Sequence, residues 1–208
     1  MPPLVMKETI HTTRRKFLLG LLATVVFAQW SRMTTPLHAQ SESKPPTPEC
    51  PDADDVTPSS TAGPFYSPDS PLRTSLLEAG IKGTPVALTG YVLTTDCKPV
   101  SHALLDFWQA DDDGEYDNVG YRLRGHQFTD EHGRYRLETI VPGQYPGRTR
   151  HIHVRLQAPD QRILTTQLYF PNEPANARDR IFRPELVMDV SDAGDAKEAS
   201  FNFVLEIA

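Results

Sequence analysis

The stretch RHIHVRLQ, residues 150–157, places two histidines one residue apart. In an extended strand, residues two apart point to the same face with their Cα atoms about 7 Å apart. His151 and His153 can therefore reach one ion while Ile152 and Val154 pack on the opposite face. Alone, such a pair on a half-exposed strand is more often solvated than ligating. Two tyrosines stand nearby in sequence. Tyr145 lies six residues upstream in the loop VPGQYPG, and Tyr116 ends WQADDDGEY, where a strand gives way to an Asp/Gly loop. Either tyrosine alone reads as a rim aromatic that covers core and shows its hydroxyl to water.

The elements that must position these residues read as strands. VALTGYVLTT alternates and stops at the turn TDCKPV; HALLDFWQA leads into DDDGEYDNVG. HQFT and RYRLETI flank Asp130-Glu131-His132-Gly133, a hairpin turn signal. RHIHVRLQA turns through APDQ into RILTTQLYF, and after the polar loop of residues 171–185 come LVMDV and SFNFVLEI. Seven or eight short strands at this spacing predict an all-β antiparallel sandwich with long loops. The one helical candidate is a short turn at Pro71–Leu77.

The chain has 208 residues, a formal net charge of -6 and 19 prolines. Its size suits one domain with a real core. An acidic balance without a basic run argues against nucleic acid as partner. Residues 1–39 read as a signal peptide: Arg14-Arg15-Lys16-Phe17-Leu18 opens an apolar run, too short to span a bilayer, before Leu37-His38-Ala39. The RRKFL stretch is of the twin-arginine type, which predicts export to the periplasm or beyond and no membrane span after processing. Residues 40–58 form a Pro/Ser-rich lead, and 59–208 the sandwich domain. The only two cysteines, Cys50 and Cys97, are expected to pair in an oxidising compartment, tying the lead to the first turn.

The two histidines and two tyrosines belong to a longer ordered set. It runs from TAGPFY through PVSHALLDFWQADDDGEY, TDEHGRYRLETIVPGQY and GRTRHIH to LTTQLYF. This set resembles the intradiol ring-cleavage dioxygenases, the protocatechuate and catechol cleavers, over residues 58–175. The resemblance implies a non-haem Fe(III) held by Tyr116, Tyr145, His151 and His153. It also implies Arg148 facing the substrate with Gln167 beside it, and a catechol-type aromatic and O2 as reactants. Phenolates are hard, anionic donors that favour Fe(III), whereas zinc would be expected with Cys, His and carboxylate ligands. Fe(II) oxygenases use two histidines and a carboxylate. Glu138 is the nearby carboxylate, but no motif brings it to His151.

The pattern also departs from the family. Gly147 stands two residues after Tyr145, where the protocatechuate enzymes carry a tryptophan, which opens one wall of the pocket. The N-terminal helical dimerisation region of the catechol enzymes is missing, so the oligomeric state is left open. Loop 171–185, with Arg178, Arg180 and Arg183, either shapes the pocket or is simply solvated. His102, His126 and His132 read as surface histidines. Two other classes stay in view: a non-catalytic metal-binding sandwich that serves as an interaction module, and an oxidase or hydrolase using copper or zinc.

Overall fold

The computed structural model describes residues 56–207. The expected signal peptide, most of the lead and Cys50 lie outside the described residues. Cys97, in the turn after the first strand, is disulfide-bonded.

Nine strands occur among the described residues: β1 Pro85–Thr94, β2 Leu104–Trp108, β3 Arg124–Phe128, β4 Arg134–Ile140, β5 His151–Gln157, β6 Leu164–Tyr169, β7 Asp189–Ala193, β8 Ala196–Ser200 and β9 Phe203–Leu205. One sheet has the order β3-β2-β5-β6 and is antiparallel throughout; the other has the order β4-β1-β8-β7, with β9 also on β1. The strands alternate, so one face of each sheet meets the other across a shared core. Leu88, Val92, Leu105, Phe107, Leu137, Ile152, Val154 and Leu168 fill it, all fully buried. Each such side chain contributes about 1.5–3 kcal/mol relative to exposure.

The sandwich expected from the sequence is present, and three details differ. First, β8 and β9 both pair with β1 in parallel. The tail is divided at Phe201, whose carbonyl sits where a Cβ on Gly90 would come within 1.8 Å. Asn202 then accepts the Tyr91 N–H at 3.0 Å, and the chain rejoins β1 beyond that break. Second, the tight turn at 130–133 does not join a paired hairpin. β3 bonds to β2 and β4 to β1, so the turn is a corner passing from one sheet to the other.

Third, residues 71–77 are not helical. Leu72 bridges His126 on β3 and Ser75 bridges Glu138 on β4, so this stretch straps the edges of both sheets. Arg73 N–H donates to the His126 carbonyl at 2.9 Å and Leu76 N–H to that of Glu138 at 2.7 Å, satisfying edge carbonyls that a helix would leave open. Short 3₁₀ turns fall instead at Asn176–Arg178, inside loop 171–185, and at Pro184–Leu186, where that loop ends.

Candidate metal centre

On β5, His151 and His153 point away from the core, and Ile152 and Val154 point into it. The outer face they occupy is nevertheless closed, because both histidines are at most 4% exposed. Two coverings do this. His153 pairs with Trp108 across β2, and the indole stacks on the imidazole with centroids 4.7 Å apart and 5° between planes. Residues 61–66 lie over the same face: a Cβ on Gly63, which has φ +65°, would stand 3.5 Å from Cε1 of His153. Phe65 stacks on Tyr116 at 4.5 Å and meets Tyr145 edge-on at 5.3 Å.

The donor atoms converge. His151 Nδ1 is 2.7 Å from the Thr149 carbonyl. A carbonyl only accepts, so the proton sits on Nδ1 and Nε2 offers a lone pair. That Nε2 lies 3.1 Å from His153 Nε2 and 3.3 Å from the Tyr116 hydroxyl. Two imidazole nitrogens this close repel each other unless a proton or a cation stands between them. Burial also keeps the imidazoles neutral. It pushes His151 down to about 4, with Arg148 adding to the shift. His153 lies well below its ordinary value, chiefly from burial and then from His151. The Tyr116 phenol is pushed up by burial, partly offset by Arg148 and Arg124. Tyr145 is half-buried, its ring 6.1 Å from that of Tyr116. Neutral imidazoles beside a phenol that ionises only with help fit a hard, highly charged cation.

Arg148 and Gln167, expected at the site, are hydrogen-bonded to each other through Arg148 Nη2 and Gln167 Oε1 at 2.5 Å. Gln167 is fixed further by donating to the Thr61 carbonyl at 2.8 Å and accepting from the Tyr169 hydroxyl at 3.0 Å. Sequence reasoning missed Asp179. Its Oδ2 accepts from Arg148 Nε and from Thr149 N–H, each at 2.9 Å, and its Oδ1 accepts from Ile181 N–H at 3.0 Å. Burial raises this carboxyl, but the two backbone donors and Arg148 together hold it below the usual range. Loop 171–185 thus acts through its aspartate, while Arg178, Arg180 and Arg183 are exposed. No spacing pattern marks Asp179; only the return of the loop to β5 reveals it.

Other candidates fall elsewhere. Glu138 faces outward on β4, in the other sheet, and pairs with Arg136 at 2.6 Å. His102 and His132 are exposed as expected, but His126 is half-buried, with Nδ1 2.6 Å from the Ser70 carbonyl. Asp111, Asp112 and Asp113 gather carboxylate oxygens within 4.8 Å of one another. Asp111 is already engaged there, accepting the N–H groups of Asp113 and Glu115 at the head of its own turn.

The profile of a dioxygenase family matches residues 61–207. The chain belongs to the intradiol ring-cleavage dioxygenases. It is 31% identical over 175 residues to a hydroxyquinol 1,2-dioxygenase of Rhizobium sp. (strain MTP-10005), covering 69% of this chain and 59% of that one. Among solved structures it resembles the dioxygenase domain of a dioxygenase carbohydrate-binding protein fusion from the cellulolytic bacterium Streptomyces sp. SirexAA-E. That domain is 55% identical, with a TM-score of 0.73, covering 74% of this chain and all of that one. It also resembles 3-chlorocatechol 1,2-dioxygenase from Rhodococcus opacus 1CP, at 30% identity and a TM-score of 0.68, with 73% of each chain covered. The chain spans 59%, 51% and 52% of three hydroxyquinol 1,2-dioxygenases that it matches. Within this intradiol frame, the Tyr116 hydroxyl and the Nε2 atoms of His151 and His153 come together among buried side chains, and the half-buried Tyr145 ring lies 6.1 Å from that of Tyr116.

Proposed function

We propose that the chain is an exported Fe(III) intradiol dioxygenase that opens a catechol- or hydroxyquinol-type ring between its two hydroxylated carbons. Both atoms of O2 enter the product, a cis,cis-muconate-type diacid. The observation that carries this reading is that the Tyr116 hydroxyl and His153 Nε2 lie 3.3 and 3.1 Å from His151 Nε2, all three side chains being buried. Tyr116, Tyr145, His151 and His153 would hold the ion, which when bound supplies the Lewis acidity that makes a chelated catechol reactive toward O2.

The protein's own groups do the rest. The Thr149 carbonyl fixes the His151 tautomer, so near neutral pH its Nε2 is presented unprotonated. Trp108, Phe65 and the 61–66 segment exclude water from the imidazoles, which strengthens every charge interaction inside. Tyr145, half-buried, would take up a proton on its phenol oxygen as a catechol hydroxyl ionises. Arg148 is held at Nε by Asp179 and at Nη2 by Gln167, so its charge is fixed in advance where negative charge develops on the substrate. Two residues after Tyr145, Gly147 is exposed and a Cβ there would meet nothing within 4 Å, so we read this side of the substrate site as open. That space suits a ring substituent, and chlorinated and hydroxylated catechols are the substrates named for several relatives.

The test is metal analysis with the visible spectrum of the pure protein, before and after adding catechol without oxygen. A broad tyrosinate-to-Fe(III) band that moves on catechol addition is expected. A colourless protein, or one filled with zinc or copper, would sink the ferric reading. Export rests on RRKFL alone and is tested by fractionation. Replacing Arg14 and Arg15 by lysine should leave the protein in the cytoplasm, and unchanged export would remove the twin-arginine assignment.

A further inference from the structure

Arg124 opens β3 and belongs to the same outer cross-strand row as Trp108, His153 and Gln167. It is 1% exposed. Its guanidinium donates Nε and Nη2 to the Asp117 carbonyl at 3.0 and 2.7 Å, and Nη1 to the Phe65 carbonyl at 2.6 Å. These two carbonyls belong to the two segments that carry and cover the Tyr116 ring. Asp117 is the next residue in the chain, and Phe65 carries the ring stacked on Tyr116 at 4.5 Å and 17°. One planar fork therefore joins the two backbone segments between which the phenol is held. Arg124 is itself tethered, since Arg73 donates Nε and Nη2 to the Arg124 carbonyl at 2.9 and 2.7 Å.

The charge balance is unusual. Arg148, at the other side of the site, has Asp179 as its ion-pair partner at 2.9 Å. Arg124 forms no ion pair with a carboxylate among the described residues. The strongest negative influence on it comes from Asp117 and the next from Tyr116. The Asp117 carboxylate is directed elsewhere: Oδ1 accepts from Val119 and Gly120 N–H at 3.0 and 2.8 Å, and Oδ2 from Arg122 N–H at 2.9 Å. The hydrogen bonds of the guanidinium itself go only to the two backbone carbonyls, which fixes its plane between their segments.

We infer that Arg124 is a positioning residue for Tyr116: it sets the ring through the Asp117 and Phe65 carbonyls. The inference rests on the ferric reading above. It places Arg124 outside the substrate's reach, acting on the reaction only through Tyr116.

The experiment compares the full chain with Arg124→Lys and Arg124→Met, each measured metal-free and iron-loaded, by melting temperature and visible spectrum. The rise in melting temperature on iron loading should be largest for the unaltered chain and smallest for Arg124→Met, which should also bind iron at least tenfold more weakly. Arg124→Lys keeps the charge but not the fork, so it should retain iron with a displaced charge-transfer band. If the Met variant does not fold, the displaced band of the Lys variant carries the test alone. An equal loss of melting temperature with and without iron, together with an unmoved band, would overturn the inference and leave Arg124 a structural tie. If the unaltered chain shows no band and no iron-dependent rise, the ferric reading fails first and the inference falls with it.

Discussion

On the outer face of β3-β2-β5-β6, one cross-strand row reads Arg124, Trp108, His153, Gln167, and none of the four is more than 2% exposed. On the outer face of the other sheet, Tyr91 stands opposite Arg134 and Thr89 opposite Arg136, and both arginines are solvated. That second face also borders a hollow of about 670 Å³, lined by Thr89, Tyr91, Arg134, Arg136 and Asn202 among others. Size alone therefore does not locate chemistry. The two faces differ in what covers them. Residues 57–70 and loop 171–185 lie over the first sheet, turning an ordinary polar outer face into a dry compartment. There imidazoles stay neutral and a carboxylate–arginine pair is fixed.

The sharpest break of this contrast is one substitution on each face. His153→Ala should abolish iron binding and turnover, well beyond the roughly 10–100-fold loss usual for groups that only support a ligand. Arg136→Ala, on the solvated face, should leave turnover unchanged and stability within about 0.5 kcal/mol. Metal content, oxygen consumption with catechol and a urea melt read both. Comparable losses from the two variants would mean that the buried row is not the centre.

Next in size is the ion pair in the covered compartment. Asp179→Ala leaves Arg148 and the Thr149 N–H without their acceptor. Removing one partner of a buried pair costs about 3–5 kcal/mol. The metal-free protein should lose that much in denaturant melts. Asp179→Asn, which still accepts from a backbone N–H, should lose less while raising the KM for catechol more than it lowers kcat. A variant as stable as the parent would show that loop 171–185 merely rests on the sheet.

This comparison also explains what could be read from the sequence. Period-two alternation placed Ile152 and Val154 in the core and both histidines on the other face, and that face was correctly assigned. Alternation could not say that the outer face is buried, because its cover comes from segments far away in the chain. Asp179 was missed for that reason: its partners Arg148 and Thr149 are about thirty residues away, and its neighbours in the loop are the exposed arginines that drew notice instead. The strap at 71–77 was misread because Leu72, Leu76 and Leu77 have helical spacing, while its hydrogen bonds go to two different sheets. His126 looked like a turn histidine until the strap brought Ser70 onto it.

A pH titration sharpens the contrast between covered and open imidazoles. His151 has a folded pKa of about 4, against about 6.5 in an unfolded chain. Between these values the unfolded state binds more protons, so stability rises with pH across this window and falls as the solution is acidified from 7 toward 4. The loss should approach 3 kcal/mol for this one group, at about 1.4 kcal/mol per pH unit. Below 4 the term is constant. The slope should be visible in metal-free protein by urea melts at stepped pH. It should shrink but not vanish in His151→Gln, because His153 is depressed in the same direction; an unchanged slope would place the acid sensitivity elsewhere.

The smallest effect belongs to the open face. Arg134 and Asp130 form an ion pair at 2.7 Å, with side chains 50% and 41% exposed. In geometry it rivals the Arg148–Asp179 pair, but its charges are already solvated before they meet. Its coupling in a double-mutant cycle should be about 0.2–1 kcal/mol and should shrink further in 0.5 M salt. The carboxylate of Asp130 has a second duty, accepting the His132 and Arg134 N–H groups at 2.9 Å in the corner between the sheets. Asp130→Ala should therefore cost more than Arg134→Ala, the difference measuring the turn and not the pair. If the two single variants cost the same and the coupling rivals that of Arg148–Asp179, then the dryness of the covered face is not what makes its ion pair strong.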